Sequence, residues 1–274
     1  MIANLLSIAG SDPSGGAGIQ ADLKTFAALG TYGAAAITAL TAQNTRGVAA
    51  VHRLPATFVG AEIDSLYADL HIDAVKIGML ATGEVAEVVA ERLVLHGARH
   101  VVLDPVMIAT SGDRLLDGAA IEVIRHQLIP LAEVVTPNLA EAAALLAEPV
   151  ADDLPAMRRA AERLWRLGPR AVLLKGGHLP GARCPDLLFD GERMAELSAE
   201  RVATRNTHGT GCTLSAAIAA RLARGDDIAA ACRAAKAYLT AAIAAADRLS
   251  VGGGHGPVHH FHALWREGAQ AGGG

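Results

Sequence analysis

Cysteine is scarce in this sequence, and the few cysteines are not arranged as a crosslink or a zinc site requires. Cys184, Cys212 and Cys232 are odd in number, unevenly spaced and contain no Cys-x-x-Cys pair. A disulfide framework needs paired cysteines, and a structural zinc site needs closely spaced ligands. The sequence therefore indicates neither. Aromatic residues are also rare, at 3%, and alanine fills the predicted helices instead.

A basic excess and long apolar runs are missing as well. The formal net charge is −4, whereas a surface that binds nucleic acid or an anionic membrane carries clustered positive charge. No uncharged apolar stretch reaches the roughly 20 residues that span a bilayer, and no basic residue precedes the first apolar run. We therefore expect a cytoplasmic protein with neither nucleic acid nor a membrane as its partner.

Two nucleotide-binding signatures are absent or incomplete. The chain has no Gly-x-x-x-x-Gly-Lys-Ser/Thr loop, so any ATP is bound differently from ATP in P-loop enzymes. Residues 16–21 fit Gly-x-Gly-x-x-Ala, but that pattern also needs an acidic residue about twenty positions later, and none occurs between Lys24 and Ala61. We exclude nicotinamide binding at this loop. Asp22, on the helix that follows, is either a binding-site residue or a solvated side chain.

Apolar strands alternate with helical patterns along the chain. The predicted strands cover residues 5–9, 33–42, 74–79, 101–107, 133–136 and 171–178, with a hairpin at 186–193. The predicted helices cover residues 19–29, 83–96, 119–128, 152–167, 215–224 and 227–249, and another contains Phe58, Ile63 and Leu66. This alternation indicates an α/β sandwich with a largely parallel central sheet. No internal repeat or linker marks a domain boundary.

Polar residues follow several of these strands, where open α/β sheets bind their ligands. Asp104 is a candidate for a metal or phosphate site, and Lys175, placed before two glycines, can steady a transferring phosphate as a point charge. Gln43 suits recognition of a polar uncharged ring, or belongs to a turn. Asn138 and Glu141 share one face of a starting helix, as a capping pair or as groups that hold a hydrated magnesium ion.

Residues 206–213 read Asn-Thr-His-Gly-Thr-Gly-Cys-Thr and run into an alanine-rich helix. Gly209 and Gly211 allow a tight turn with outward N–H groups, and the helix adds its positive dipole end, so a phosphate would bind well there. The thiol of Cys212 lies in the first helical turn, where a thiol pKa is typically lowered, which makes it a base candidate. The alternatives are a plain strand-to-helix turn and a buried small residue.

The histidines of the tail are a weaker candidate. His259, His260 and His262 cluster within four residues, but no cysteine or carboxylate lies close to them in the sequence, so we do not favour a metal site.

Together these segments describe a phosphoryl-transfer site, and they resemble a known family. The matching residues are 8–24, 38–45, 76–80, 104–107, 136–138, 175–178 and 206–213. In this order they are similar to the bacterial hydroxymethylpyrimidine/phosphomethylpyrimidine kinases of thiamine biosynthesis, within the ribokinase-like superfamily. The resemblance implies a three-layer sandwich with helices on both faces of the sheet, forming one kinase domain over residues 1–267, with a disordered tail over residues 268–274.

The resemblance also implies an activity and its site. ATP with Mg²⁺ would phosphorylate hydroxymethylpyrimidine to its monophosphate and then to the diphosphate, and the protein would be a homodimer. Gln43 would hydrogen-bond the aminopyrimidine edge in a pocket lined by Gly10, Asp22, Met79 and Val106. The residues near Mg²⁺ and phosphates would be Asp104, Asn138 and Glu141, those near the ATP phosphates Lys175 and Thr207, and those of the anion hole Gly209, Gly211 and Cys212.

Two other functions stay open at this point. A pyridoxine or pyridoxal kinase is the nearest rival, because its acceptor is also a hydroxymethyl group, although Gln43 and Met79 favour the pyrimidine. A non-catalytic pyrimidine- or nucleotide-binding regulator on the same fold would be expected to have lost Lys175, Cys212 or the glycine turn, and all are present. Most of the superfamily carries Asp as the base where Cys212 stands, whereas the kinases that this sequence resembles carry Cys.

Overall fold

A nine-stranded mixed sheet forms the centre of the computed structural model, which describes residues 1–107 and 118–265. The strands are β1 (Asn4–Ser11), β2 (Tyr32–Asn44), β3 (Gly47–Arg53), β4 (Ala74–Ile77), β5 (Val101–Leu103), β6 (Val134–Val135), β7 (Ala171–Lys175), β8 (Arg183–Phe189) and β9 (Met194–Glu200). Their order is β3-β2-β1-β4-β5-β6-β7-β8-β9. Six neighbouring strands are parallel to one another: β2, β1, β4, β5, β6 and β7. At the edges, β3 pairs antiparallel with β2, β8 with β7, and β9 with β8. The predicted, largely parallel sheet is confirmed.

Helices cover both faces of this sheet. They are α1 (Gly18–Ala28), α2 (Ala56–Asp69), α3 (Gly83–Leu95), α4 (Gly118–Val123), α5 (Leu139–Leu146), α6 (Leu154–Trp165), α7 (Thr210–Ala223) and α8 (Ile228–Ala244). One hydrophobic core packs α2 to α6 on one face, and a second packs α1, α7 and α8 on the other. This is the three-layer sandwich that the family resemblance implies.

Each parallel strand contributes to both cores because its side chains alternate between the faces. In β1, Leu6 and Ile8 pack into the core with α2 to α6, whereas Leu5 packs into the other. Helix α7 is buried on nearly all sides between α1, α8 and the sheet, which explains its run of alanines. Because α7 packs on β1, β4 and β5, its N-terminus lies over the middle of the sheet.

Several boundaries differ from the predicted ones. The sequence pattern does not predict β3, because most of its side chains are exposed and it lacks an alternating apolar face. The hairpin is longer than its predicted range, since β8 and β9 extend on both sides of the turn at Asp190, whose carboxylate accepts the N–H groups of Glu192 and Arg193. The predicted helix at 119–128 is α4 followed by one π-helical turn, Ile124–Leu128.

Near the C-terminal end of the described residues, His260 and His262 contact α7 and α8. The tail predicted at residues 268–274 lies outside the described residues. Across the two described ranges, no helix combines the length and the hydropathy that crossing a membrane requires.

Candidate active site

The carboxyl ends of the six parallel strands lie side by side at one edge of the sheet, and predicted site residues occur at every one of them. In the order β2, β1, β4, β5, β6, β7, these ends carry or lead directly into Gln43, Gly10, Met79, Asp104, Asn138 and Lys175. The first three belong to the predicted acceptor pocket and the last three to the predicted phosphate and metal site. Along this edge, the residues expected to bind the acceptor therefore lie next to those expected to bind the phosphates and the metal.

Lys175 lies between two buried carboxylates at the phosphate half of this edge. Its Nζ is 2.8 Å from Asp104 Oδ1 and 3.9 Å from Glu141 Oε2. Asp104 is 1% exposed and also accepts a hydrogen bond from Thr136 Oγ1. Burial raises the pKa of Glu141 to about 7, with Asp104 adding to the effect and Lys175 opposing it. Two acids thus share one cation, so the site retains negative charge when both are ionised.

Asn138 and Glu141 form a capping pair, which is one of the two arrangements that the sequence indicates. The Asn138 side chain accepts the Glu141 N–H at 2.9 Å, and Glu141 Oε2 accepts the Asn138 N–H at 2.8 Å, which closes a capping box at the start of α5. The same geometry aims Glu141 towards Lys175. The capping role is therefore compatible with a role at the phosphate site.

The same two carboxylates have the chemistry to hold Mg²⁺. Mg²⁺ prefers oxygen ligands and is usually held by one or two carboxylates together with substrate phosphates and water. Asp104 and Glu141 supply two such groups, and a single lysine leaves their combined charge incompletely neutralised. In residues 1–107 and 118–265 no three His, Cys, Asp or Glu side chains are grouped as a metal site. The donor set thus fits an ion that is completed by nucleotide phosphates.

The turn at residues 206–213, called the anion turn below, lies directly above these groups. A side chain at Gly211 would begin 3.2 Å from Asp104 Oδ2 and 3.3 Å from Lys175 Nζ. Gly209 has φ +77°, and a side chain there would meet the carbonyl of Gly16. Only glycine fits both positions without displacement. Helix α7 begins at Thr210, so its first free N–H groups lie in this turn. Thr207 lies within the same turn, three residues before the start of α7.

The environment of Cys212 corrects one expectation from the sequence. Burial raises the pKa of the Cys212 thiol to about 11, although Lys76 and the Gly18 N–H act in the opposite direction. The position at a helix N-terminus does not yield a lowered pKa here, because the loss of solvation outweighs the helix dipole. At neutral pH, with no ligand present, Cys212 is therefore a thiol.

Lys76 and Asp22 form a fully buried ion pair beneath this cysteine. Lys76 Nζ lies 2.8 Å from Asp22 Oδ2, which also accepts a hydrogen bond of 2.6 Å from Ser7 Oγ. Burial lowers the pKa of Lys76, but Asp22, Cys212 and Asp104 together outweigh it and keep that pKa above its usual value. Lys76 escapes prediction as a site residue because it lies inside an apolar strand, although a lone charge in such a strand is itself a signal.

Asp22 is held in the buried ion pair with Lys76. Its side chain has no exposed surface, and within the described part of the chain its Oδ1 has no hydrogen-bond partner. The solvated-helix alternative is wrong, and direct contact between Asp22 and a substrate stays a prediction.

The apolar part of the acceptor pocket is assembled from three strand ends. Met79 packs with Ala39 and Ala81, and Val106 packs against the same cluster. A side chain at Gly10 would overlap the Met79 methyl group, so Gly10 and Met79 are in contact. Gln43 lies at the far end of β2, half-buried, with its Oε1 3.1 Å from Thr41 Oγ1. Whether Gln43 and the Met79 cluster contact one ligand stays a prediction.

The tail histidines have structural partners. His260 Nε2 lies 3.1 Å from Thr213 Oγ1, and its carbonyl accepts the Tyr238 hydroxyl. His259 packs edge-on against Trp265, and His262 packs against Tyr238. These contacts hold the tail against α7 and α8.

The fold and the site together define a small-molecule kinase of the ribokinase-like class. Residues 12–259 match the family model described as phosphomethylpyrimidine kinase, and the chain belongs to that family. It is 58% identical over 267 residues to the hydroxymethylpyrimidine/phosphomethylpyrimidine kinase of Rhizobium meliloti strain 1021, covering 97% of this chain and 100% of the relative. The family predicted from the motifs is confirmed.

Solved structures of two related kinases have the same fold. The phosphomethylpyrimidine kinase of Clostridium difficile 630 is 43% identical, with a TM-score of 0.78 over 88% of this chain and 99% of that one. An ADP complex of Bacillus subtilis pyridoxal kinase is 36% identical, with a TM-score of 0.89 over 96% of this chain and 99% of that one. The similarity therefore extends to a phosphomethylpyrimidine kinase and to a pyridoxal kinase.

Proposed function

We propose that the protein transfers a phosphoryl group from ATP to hydroxymethylpyrimidine, and a second one to the resulting monophosphate, in thiamine biosynthesis. The observation that carries this proposal is the sheet edge, where acceptor-pocket residues and phosphate-site residues lie on neighbouring parallel strands beneath one anion turn. Membership in the phosphomethylpyrimidine kinase family supplies the chemical identity of the acceptor.

The acceptor ring would lie at the β2, β1 and β4 end of the edge. Met79 and Val106 offer an apolar surface for the ring, and Gly10 leaves room for it. The amide of Gln43 can both donate to and accept from an aminopyrimidine edge. The hydroxymethyl group would then face the N-terminus of α7.

The phosphates of ATP would lie at the β5, β6 and β7 end. Lys175, together with Thr207 and the N–H groups at Gly209 and Gly211, would stabilise negative charge on the transferred phosphoryl group. Asp104 and Glu141, with Asn138 beside them, would hold Mg²⁺. When bound, that ion would neutralise and orient the phosphates.

Cys212 is our candidate for the base that takes the proton from the acceptor hydroxyl. The pKa of its thiol, about 11, lies well above neutrality, so proton transfer to the sulfur depends on the small thiolate fraction. Lys76, buried nearby, favours that thiolate. The second transfer starts from a phosphate, which is largely ionised at neutral pH and needs little help from a base.

Pyridoxal phosphorylation is the second candidate activity. One observation favours it: the match to the Bacillus subtilis pyridoxal kinase covers more of this chain than the match to the Clostridium difficile enzyme, with a higher TM-score. The higher sequence identity, 43% against 36%, lies with the phosphomethylpyrimidine kinase. The pyrimidine therefore stays the first choice.

We also propose that the enzyme is a cytoplasmic homodimer. At one edge of the sheet, β2 and β3 expose apolar side chains, among them Leu40 at 42% and Val51 at 39%. Leu40 is paired with His52 and Val51 with Thr41, so the two side chains lie on opposite faces of this edge. Exposed edge strands are usually protected, and a second copy packed over the face that carries Val51 would bury that side chain.

The test is consumption of ATP by the purified protein with Mg²⁺ and one acceptor at a time, with products resolved by mass. We expect turnover of hydroxymethylpyrimidine and of its monophosphate. Turnover of pyridoxine alone would reassign the protein to vitamin B6 salvage, and inactivity on all three acceptors would contradict a kinase function.

A further inference from the structure

His208 occupies a position that neither the motif nor the proposed mechanism explains. It belongs to the anion turn, yet its side chain points away from α7 into a buried contact and is 6% exposed. Its Nε2 lies 2.7 Å from Asp12 Oδ2 and 3.4 Å from Gln43 Nε2. Because an ionised carboxylate can only accept, His208 Nε2 carries the hydrogen of the first contact. The same Nε2 therefore cannot accept a hydrogen bond from the Gln43 amide, and the imidazole joins the anion turn to Asp12 alone.

Asp12 is the organising residue of the glycine-rich loop that joins β1 to α1. Its carboxylate accepts hydrogen bonds from the N–H groups of Ser14, Gly16 and Ala17, at 2.8, 3.2 and 2.8 Å, and from the Ser14 hydroxyl. Burial works against ionisation, but the hydrogen bonds of His208 and Ser14 outweigh it and lower the pKa of Asp12 to about 2. The carboxylate is therefore charged, and His208 is its partner from the other side of the site.

The backbones of the two loops also touch. A side chain at Gly16 would overlap the His208 ring, and one at Gly209 would overlap the Gly16 carbonyl. This close approach leaves no room for a side chain at Gly16 or Gly209. A shift of the glycine-rich loop between β1 and α1 would therefore be transmitted to the anion turn through His208 and Gly209.

The backbone of His208 is held independently of its side chain. Its N–H donates to the Gly256 carbonyl at 3.0 Å, and the Gly256 N–H donates to Asn206 Oδ1 at 3.1 Å. The same tail segment reaches the turn after β2, where the His255 N–H donates to the Thr45 carbonyl at 2.8 Å. Shortening the His208 side chain would consequently release Asp12 while leaving the anion turn anchored.

We propose that His208 is a positioning residue that holds the Asp12 loop in register with the anion turn. Its effect is on the alignment of the acceptor hydroxyl with the transferred phosphoryl group, and it takes no part in proton or phosphoryl transfer. The proposal rests on the kinase function proposed above. Misplacing a reactant by about 1 Å costs on the order of 10²-fold in rate, so loss of the contact between His208 and Asp12 is expected to lower the rate of phosphoryl transfer.

The test compares two substitutions that differ by one methylene. In His208→Gln the amide N–H reaches to about the depth of Nε2 and keeps the bond to Asp12, whereas in His208→Asn it falls short. We expect His208→Asn to lower kcat/KM for the acceptor by roughly 10- to 100-fold, with KM for ATP unchanged. We expect His208→Gln to recover most of that loss. A matched control is His71→Asn, which breaks a His–Asp pair on the surface, where His71 is 81% exposed.

Hydrogen exchange without substrate supplies an independent readout. Amides of Gly16 and Ala17 should exchange faster in His208→Asn than in wild type, and at the wild-type rate in His208→Gln. A loss of kcat with unchanged acceptor KM and unchanged exchange, or a failure of both variants to fold, would show a purely structural role and overturn the proposal. If wild type phosphorylates no pyrimidine, the proposed function fails, whereas the exchange result still decides the role of His208.

Discussion

At the scale of single residues, Cys212 lies in the first turn of α7 as predicted, but the pKa of its thiol is raised rather than lowered. A motif shows that a cysteine begins a helix, and the helix dipole then favours thiolate. It does not show that the same turn is buried against Asp104 and Asp22, which both raise the pKa of the thiol further. The residue is found from sequence, and its protonation state requires the packed structure.

Removing the sulfur should separate the two phosphorylations. In Cys212→Ala we expect the rate of the first transfer to fall by about 10²-fold or more, because general base catalysis of an alcohol contributes on that order. The second transfer should fall much less, since its nucleophile is an ionised phosphate. Single-turnover rates with each acceptor measure both. Equal losses in the two steps would argue against a base role.

The pH dependence of the first transfer follows from the same pKa. A thiol with a pKa of about 11 gains thiolate as the pH rises, so the rate should increase steadily from pH 7 to pH 9 without reaching a plateau. The second transfer should level off once Glu141, whose pKa is about 7, and the substrate phosphate have lost their protons. Parallel pH–rate profiles for the two acceptors would contradict this assignment.

At the scale of elements, the sequence predicts the strands that are buried on both faces of the sheet, and it misses a strand whose side chains are exposed. The apolar runs of β1, β4 and β7 are buried on two faces and read directly from sequence. In contrast, β3 is held by its pairing with β2 rather than by an apolar face of its own, so its sequence carries little signal. The sheet order, which creates the site edge, depends on crossovers that no local pattern reveals.

Glycines at the two ends of α7 offer a matched comparison. Gly209 and Gly225 both have positive φ, at +77° and +92°, but only Gly209 is packed against other atoms where a side chain would begin. Substitution by alanine should cost about 1–3 kcal/mol of stability at either position because of backbone strain.

Only Gly209→Ala should lose activity as well, since its methyl group would push the anion turn away from Gly16. Thermal unfolding measures the shared loss of stability, and ATP turnover measures the difference. Full activity in a folded Gly209→Ala protein would mean that the close packing of the two loops is not needed for catalysis.

At the scale of the whole molecule, the site lies where two cores meet one sheet edge. The core around α7 positions the anion turn, and the opposite core, which contains the first turns of α3 and α5, positions the residues at the ends of β4 and β6. The family resemblance predicted this architecture from motifs alone. The hydrogen bond between Asp12 and His208 was not predicted, because residues 196 positions apart come together only through the fold.

The proposed dimer can be tested at the exposed edge of the sheet. Val51→Lys places a charge on β3, where its side chain is 39% exposed, and Val94→Lys places one on α3, where its side chain is 65% exposed. We expect wild type and Val94→Lys to be dimers by light scattering and Val51→Lys to shift towards monomer. A monomeric wild type, or equal behaviour of both variants, would exclude this edge as the interface.

The central claim is that one site phosphorylates both the alcohol and its monophosphate. The direct measurement is competition between hydroxymethylpyrimidine and the monophosphate, with each product quantified by mass at saturating ATP and Mg²⁺. We predict that each acceptor competitively inhibits phosphorylation of the other, with an inhibition constant equal to its own KM. Non-competitive inhibition, or turnover of only one acceptor, would contradict a single shared site.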